Sequence, residues 1–305
     1  MAKQALITGL VNDARALIEA LDGVVLTGEQ ADAVGLLALV AGQDVEPGDE
    51  EGTWRIAQKV APDRVISVVD PEARHMHKSR SEYRDGYKAH VAVEPDTGII
   101  TGTTLTPANA ADGPTGVELL DGETDRCEIY ADSAYGGGET RVEIRRRGHD
   151  AVIKPMPVRA AVPGGFTRDD FVIDHQARTA SCPGGHTVPI SFRGSASFGP
   201  RCTPCPFRQR CTTAKDGRHL TIDPRDDELV YGRAAWRDPI LQAHYRQHRP
   251  MVERTIAWLV ASGSRRVPYR GVERNHQWLT VRAAALNLRR LVNLGVDHTG
   301  TWLLT

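Results

Sequence analysis

The chain has 305 residues, of which 40% are hydrophobic and 25% are charged, and its net charge at pH 7 is −1. These proportions are ordinary for a globular protein. No run of 18 apolar residues occurs, and Asp13, Arg15 and Glu19 interrupt the apolar pattern at the start. The composition therefore excludes a signal peptide and a membrane span, and we expect a cytoplasmic protein that does not contact a membrane.

Charge is distributed unevenly along the chain. Residues 1–60 contain four Lys or Arg and ten Asp or Glu, whereas residues 231–290 contain twelve Arg and three acids. This asymmetry indicates that the C-terminal part meets a polyanion and that the N-terminal part does not. The alternative is a pair of solvated basic helices without a nucleic-acid partner.

The first elements are predicted to be helices. Amphipathic patterns indicate helices near residues 4–22 and 28–43, and Thr27 and Gln30 have the spacing of a capping box. An acidic linker rich in Gly and Pro follows. The apolar run RVISVVD, residues 64–70, then predicts a strand that ends on Asp70.

The next part alternates strands and helices. Two β-rich runs in residues 86–109, hinged at EPDTG, predict a hairpin. The elements predicted after it are a short helix at 112–122 that Asp112 caps, a strand at 127–132, a helix near 138–147 and a strand at 150–155. This order predicts a mixed sheet with helices packed on it.

The pattern changes again in the C-terminal half. Short strands, many Pro and Gly and four of the five cysteines predict an insertion at residues 157–232, and long helices are predicted at 236–262 and 279–296. The predicted domains are N-terminal helices and linker at 1–60, a core formed by 61–156 and 233–296, the insertion, and a tail at 297–305.

Three carboxylates stand at positions where a site is expected. Asp70 and Asp132 each end an apolar strand, and strand ends are where ligands gather in α/β sheets. Two neighbouring carboxylates repel, and a divalent cation such as Mg²⁺ or Mn²⁺ relieves that cost. Glu253 lies beside the apolar face of a helix, four residues after Arg249. It either points into the site or forms an ordinary ion pair with Arg249.

The amino-acid sequences of several stretches resemble those of one protein family. DPEARHMHK, GYKAHVAVEPDTGIITGTTLTPANAADG, IYADSAYGG, MVERTIAWLV and YRGVERN look like parts of the DDE transposases of bacterial insertion sequences, over roughly residues 35–296. The resemblance implies a ribonuclease-H-like α/β fold with Asp70, Asp132 and Glu253 as catalytic residues that hold two Mg²⁺ or Mn²⁺ ions. It also implies cleavage and strand transfer of double-stranded DNA, at element ends and target, by a homodimer.

Basic residues near these acids are predicted to contact DNA; they are Arg74, Lys78, Arg246, Arg249, Arg265, Arg266 and Arg270. The sequence departs from the family at two of the positions that flank Glu253. Arg246 stands where a Tyr is often found, with Tyr245 one step away, and Val260 stands where a basic residue is often found. Few residues precede Asp70 for this family, so we expect an N-terminally short chain that is truncated or inactive and binds element ends weakly.

The cysteines predict a second metal site. Cys182, Cys202, Cys205 and Cys211 include a C-x2-C pair, and four thiols can bind one structural Zn²⁺. The alternative is four reduced, unliganded thiols. Cys127 is predicted to be a small buried hydrophobe.

The sequence is also compatible with three other functions. A ribonuclease-H-like nuclease or resolvase would use the same acids for hydrolysis alone. A zinc-dependent nucleic-acid-binding protein would need none of them, and a catalytically dead remnant would keep them without activity.

Overall fold

The computed structural model describes residues 2–77, 81–298 and 302–304, in a mixed α/β arrangement of helices and small sheets. Contacts divide the chain into two compact units. The first comprises Met1–Ala111 with Arg254–Thr305, and the second comprises Asp112–Glu253. The predicted domain boundaries differ from this division and stay predictions. In the described part, no helix is long and apolar enough to cross a membrane.

The first unit begins with the two predicted helices, α1 (Ala2–Ala20) and α2 (Gly28–Gly42). The capping box is present, because Gln30 N–H donates to the Thr27 hydroxyl at 3.4 Å and Thr27 N–H donates to Gln30 Oε1 at 2.9 Å. Each bond satisfies an N–H group that the first helical turn cannot pair. The linker contains a small antiparallel pair, β1 (Val45–Pro47) and β2 (Trp54–Ile56).

The strand predicted at residues 64–70 is wrong, because this segment pairs with no strand in the described part of the chain. The side-chain amide of Gln43 takes the place of a strand partner. It accepts from Val65 N–H at 2.9 Å and donates to the Val65 carbonyl at 2.9 Å. Val68 and Val69 are exposed. Asp70 therefore follows an irregular segment and lies in a bend, not at the end of a strand.

A three-stranded antiparallel sheet organises the rest of this unit. Its strands are β3 (Arg74–His77), β4 (Tyr83–Val93) and β5 (Ile100–Pro107), in the order β3-β4-β5. The hairpin between β4 and β5 is the predicted one, and Gly98 turns the chain with φ +72°.

The long helix α9 (Val272–Asn293) packs on β5. Ile100, Leu105, Leu279 and Ala283 are buried in the core between them. Two short strands after α9, β13 (Val296–His298) and β14 (Trp302–Leu304), pair with each other.

The second unit contains a parallel βαβ arrangement that follows the predicted order. Its elements are α3 (Asp112–Glu118), β6 (Glu128–Ala131), α4 (Gly138–Arg146) and β7 (Asp150–Ile153). Strands β6 and β7 are parallel neighbours, as a crossover through α4 requires. Ile144 of α4 packs with Val117, Leu120 and Ile153.

Residues between β7 and the last helices form short strands around a core of their own. They are β8 (Val172–Asp174), β9 (Thr179–Ser181), β10 (Thr187–Pro189), β11 (Ser195–Ser197) and β12 (His219–Thr221), with the one-turn helix α5 (Arg208–Cys211). Strands β8, β9 and β10 form one antiparallel sheet, and β11 pairs with β12.

The region predicted to be helical at residues 236–262 is divided between two helices, α7 (Pro239–His248) and α8 (Pro250–Val260), and α6 (Asp226–Ala235) precedes it. Pro239 and Pro250 each begin a helix because proline is tolerated in the first turn and has no N–H with which to continue a helix that precedes it. Asp238 caps α7 by accepting from Ile240 N–H at 2.8 Å.

Candidate active site

Asp132 follows β6 directly, at the carboxyl end of the parallel pair. Its Oδ1 accepts from Ala134 N–H at 2.9 Å, which caps the one-turn 3₁₀ helix Ser133–Tyr135. The side chain is 51% exposed, so the carboxylate remains open to solvent and to a ligand. The predicted strand at residues 127–132 is confirmed with bounds one residue shorter at each end, so that Asp132 directly follows it.

Glu253 lies in the first turn of α8, and its carboxylate and that of Asp132 contact the same guanidinium. Arg249 approaches Glu253 Oε1 at 3.3 Å and Asp132 Oδ2 at 3.5 Å. Both distances exceed those of tight charge-assisted hydrogen bonds. Within the second unit, two of the three predicted catalytic acids therefore lie on either side of one cation. The predicted contact between Arg249 and DNA stays a prediction.

Tyr245 lies beside this group and packs edge-on against Trp236, with ring centroids 4.9 Å apart. Burial raises the pKa of its hydroxyl, Arg249 opposes that rise, and the charges of Asp132 and Glu253 add to it. The hydroxyl is therefore a hydrogen-bond donor at neutral pH.

Tyr135, the last residue of the 3₁₀ helix, lies near Asp132 and Arg249. Burial, followed by the charges of Asp112 and Asp132, raises its pKa to about 12. Its ring packs against Gly116, where an added Cβ would come within 2.5 Å of the ring. Glycine at this position therefore leaves room for the tyrosine ring beside α3.

Asp70 belongs to the first unit and is held by two donors that the sequence did not reveal. Its Oδ1 accepts from the Tyr87 hydroxyl at 2.5 Å and from Gly271 N–H at 3.1 Å. Burial, with the adjacent Asp70 carboxylate, raises the pKa of Tyr87 above its usual range. Tyr87 therefore stays protonated and donates to Asp70.

The turn that supplies Gly271 is anchored at both ends. Val272 N–H donates to Glu72 Oε2 at 2.5 Å. The Asn275 side chain, fully buried, donates to the Tyr269 and Gly271 carbonyls at 2.8 and 2.7 Å and accepts from Tyr269 N–H at 3.1 Å. The motif YRGVERN thus positions Asp70. In the sequence, this motif draws attention because it is one of the stretches that resemble the family. Residue spacing alone does not indicate that it positions Asp70.

The donor chemistry of the three acids fits a hard divalent cation, because carboxylate oxygens are the preferred ligands of Mg²⁺ and Mn²⁺. Asp70 lies in one compact unit, whereas Asp132 and Glu253 lie in the other. The convergence of all three therefore stays a prediction. Over residues 2–77, 81–298 and 302–304, no three His, Cys, Asp or Glu side chains could hold a metal ion as they stand.

The predicted DNA-contacting residues fall into two groups. Arg74 is engaged within the protein, since its side chain is 14% exposed and its Nε donates to Asp63 at 2.7 Å. The other group is exposed at the surface and consists of Arg246, Arg265, Arg266 and Arg270. Lys78 lies outside the described residues. DNA contact by any of these residues stays a prediction.

The four cysteines of the insertion, Cys182, Cys202, Cys205 and Cys211, line one small cavity. All four are free thiols, as is Cys127. Cys127 is partly buried, with Sγ 3.2 Å from His149 Nδ1, and burial raises its thiol pKa. A zinc ion at the four cysteines stays a prediction.

Similarity to known proteins extends over most of the chain. The family model of the transposase DDE domain matches residues 53–288. No curated protein and no solved structure gives a significant match. The matched segment includes Asp70, Asp132 and Glu253, together with the Tyr87 and Gly271 that hold Asp70. This chain belongs to the DDE-domain transposases, a family that acts on DNA with the help of divalent metal ions.

Proposed function

We propose that this chain cuts DNA at the ends of a mobile element and joins those ends to a target, with Asp70, Asp132 and Glu253 as its catalytic residues. The observation that carries the proposal is that Asp132 and Glu253, 121 positions apart in the sequence, meet at the single guanidinium of Arg249. The family match makes the ribonuclease-H-like core the expected frame for these acids.

The three acids would hold two Mg²⁺ or Mn²⁺ ions. When bound, such ions activate the attacking hydroxyl and stabilise the departing oxygen. Arg249 supplies a positive charge between Asp132 and Glu253, which limits their mutual repulsion before metal binds. Tyr87 and Gly271 N–H hold one oxygen of Asp70, as outer-shell donors commonly do for metal-binding carboxylates.

Two copies of the chain would act together. Moving an element requires that both of its ends be cut and joined to one target. A homodimer on paired ends, with one active site for each end, meets that requirement. The exposed arginines Arg246, Arg265, Arg266 and Arg270 are the proposed contacts to phosphate.

The test is a joining assay with Asp132→Asn. Purified chain is incubated with Mn²⁺, a labelled oligonucleotide that carries the element's end, and a target plasmid. We expect joined product from the wild-type chain and none above background from Asp132→Asn, because the amide cannot supply the anionic ligand.

Asp125→Asn is the matched control, since Asp125 is exposed in the loop before β6 and should leave joining unchanged. Cleavage without joining would favour a nuclease of the same fold. Activity that survives in Asp132→Asn would refute the assignment of this residue.

A further inference from the structure

The segment from β8 to β12 is short and has a hydrophobic core of its own. Its strands are three residues each. Phe198 and Val188 are its largest fully buried side chains, and the core contains ten buried residues in all. Small cores of this kind usually require a disulfide, a metal ion or other cross-link for stability.

Four thiols from three parts of this segment meet at one place. Cys182 follows β9, Cys202 ends the 3₁₀ helix Gly199–Cys202, Cys205 lies in the next turn, and Cys211 ends α5. All four line a cavity of about 20 Å³. This volume exceeds the space that one water molecule needs, roughly 10–15 Å³ on the same measure.

The turn after Cys182 brings the backbone against the sulfurs. Cys182 N–H donates to the His186 carbonyl at 2.9 Å, and Gly185 N–H donates to the Cys182 carbonyl at 2.9 Å. An added Cβ on Gly184 would stand 3.2 Å from Cys205 Sγ and 3.6 Å from Cys182 Sγ. Both sulfurs therefore lie close to the space that a side chain at position 184 would occupy, and glycine leaves this space empty.

Arg218 contacts two of the four cysteines. Arg218 N–H donates to Cys202 Sγ at 3.3 Å. The Arg218 guanidinium also lies near, since it donates to the Cys211 carbonyl at 3.3 Å and covers the Phe171 ring at 5.6 Å. Arg218 therefore links the parts of the chain that carry Cys202 and Cys211.

We propose that Cys182, Cys202, Cys205 and Cys211 bind one structural zinc ion. Each thiol releases its proton to solvent as its sulfur binds the ion. The described thiols do not stand at metal-binding spacing. Zinc binding would therefore need the four sulfurs to move closer together, and the bound ion would cross-link the three parts of the chain. This inference is independent of the proposed DNA chemistry.

Zinc content is the direct test. The full chain is incubated with zinc, passed through a desalting column and analysed by metal mass spectrometry. We expect about one zinc per chain for the wild type and for Cys127→Ser, whose thiol lies away from the cavity. The double variant Cys182→Ser with Cys205→Ser should retain close to none.

A second measurement covers the case in which the double variant does not fold. The wild-type chain loaded with Co²⁺ should show sulfur-to-cobalt charge-transfer absorption, which reports thiolate ligands directly. A wild-type chain that retains no zinc, a double variant that retains as much as the wild type, or a cobalt complex without that absorption would overturn the proposal.

Discussion

Asp70 and Asp132 are oriented by different means, although both are predicted to be metal ligands. Asp132 is fixed by its own helix cap, through the bond from Ala134 N–H. Asp70 depends on distant residues, since Tyr87 lies 17 positions away and Gly271 lies 201 positions away. Both bonds to Asp70 reach Oδ1, and among the described residues no bond to Oδ2 is seen. Asp70 is thus the acid whose position depends most on tertiary contacts.

Replacing Tyr87 with Phe tests that dependence. The substitution removes the hydroxyl that donates to Asp70 and keeps the ring. We expect Mn²⁺ affinity, measured by calorimetric titration of the chain, to fall by about 10- to 100-fold, the usual effect of removing an outer-shell partner. Tyr231→Phe, at an exposed tyrosine of α6, is the control and should leave affinity unchanged. Equal affinities in the two variants would show that Tyr87 does not position Asp70.

At the scale of elements, the sequence correctly predicted those helices, turns and strands that depend on hydrogen bonds between residues near each other in the chain. The capping box at Thr27 and Gln30, the hairpin β4–β5 and the strand–helix–strand order around Asp132 appear as expected. The strand predicted at residues 64–70 is wrong because a strand needs a partner, which composition cannot reveal. The Gln43 side chain fills that role for Val65.

The turn before α9 is the element on which Asp70 depends most. Gly271 has φ +82° and ψ 157°, a region that only glycine occupies readily. An added Cβ would also stand 3.0 Å from Glu72 Oε2. Gly271→Ala should therefore lower the free energy of unfolding by about 1–3 kcal/mol, as measured by urea denaturation.

Gly35→Ala is the matched control for Gly271→Ala. Gly35 lies inside α2 with nothing within 4 Å of an added Cβ. Alanine there should be neutral or stabilising by about 0.5–1 kcal/mol, because it restricts the unfolded chain and favours helix. If both variants unfold alike, the conformation of Gly271 is not what the turn requires.

At the scale of the whole molecule, the uneven charge predicts how DNA binding depends on salt. Arg265, Arg266 and Arg270 are exposed in the Arg-rich region. Changing all three to Gln should weaken DNA binding across sequences. It should also reduce the slope of log affinity against log salt by about 0.9 for each phosphate that the variant no longer neutralises. Fluorescence anisotropy with a labelled duplex at several salt concentrations measures both effects.

The control for the arginine variant removes the same charge elsewhere. Arg126, Arg146 and Arg225 already pair with Asp150, Glu143 and Glu139. Changing these three to Gln should alter the slope much less, because they are held by carboxylates. A slope that changes equally in both triple variants would mean that net charge, not a defined surface, governs binding.

The sequence alone identified the family, and it singled out the three acids and the cysteine group as candidate sites, because these depend on residue type, order and spacing. It placed Asp132 correctly, since alternation and a glycine-rich turn are local signals. Spacing already allowed the pair between Arg249 and Glu253, but only the tertiary structure decided that Asp132 joins this pair and that Tyr87 and Gly271 hold Asp70. Contacts between residues far apart in the chain leave no periodic trace, so the residues that position a site become visible only when the chain is folded.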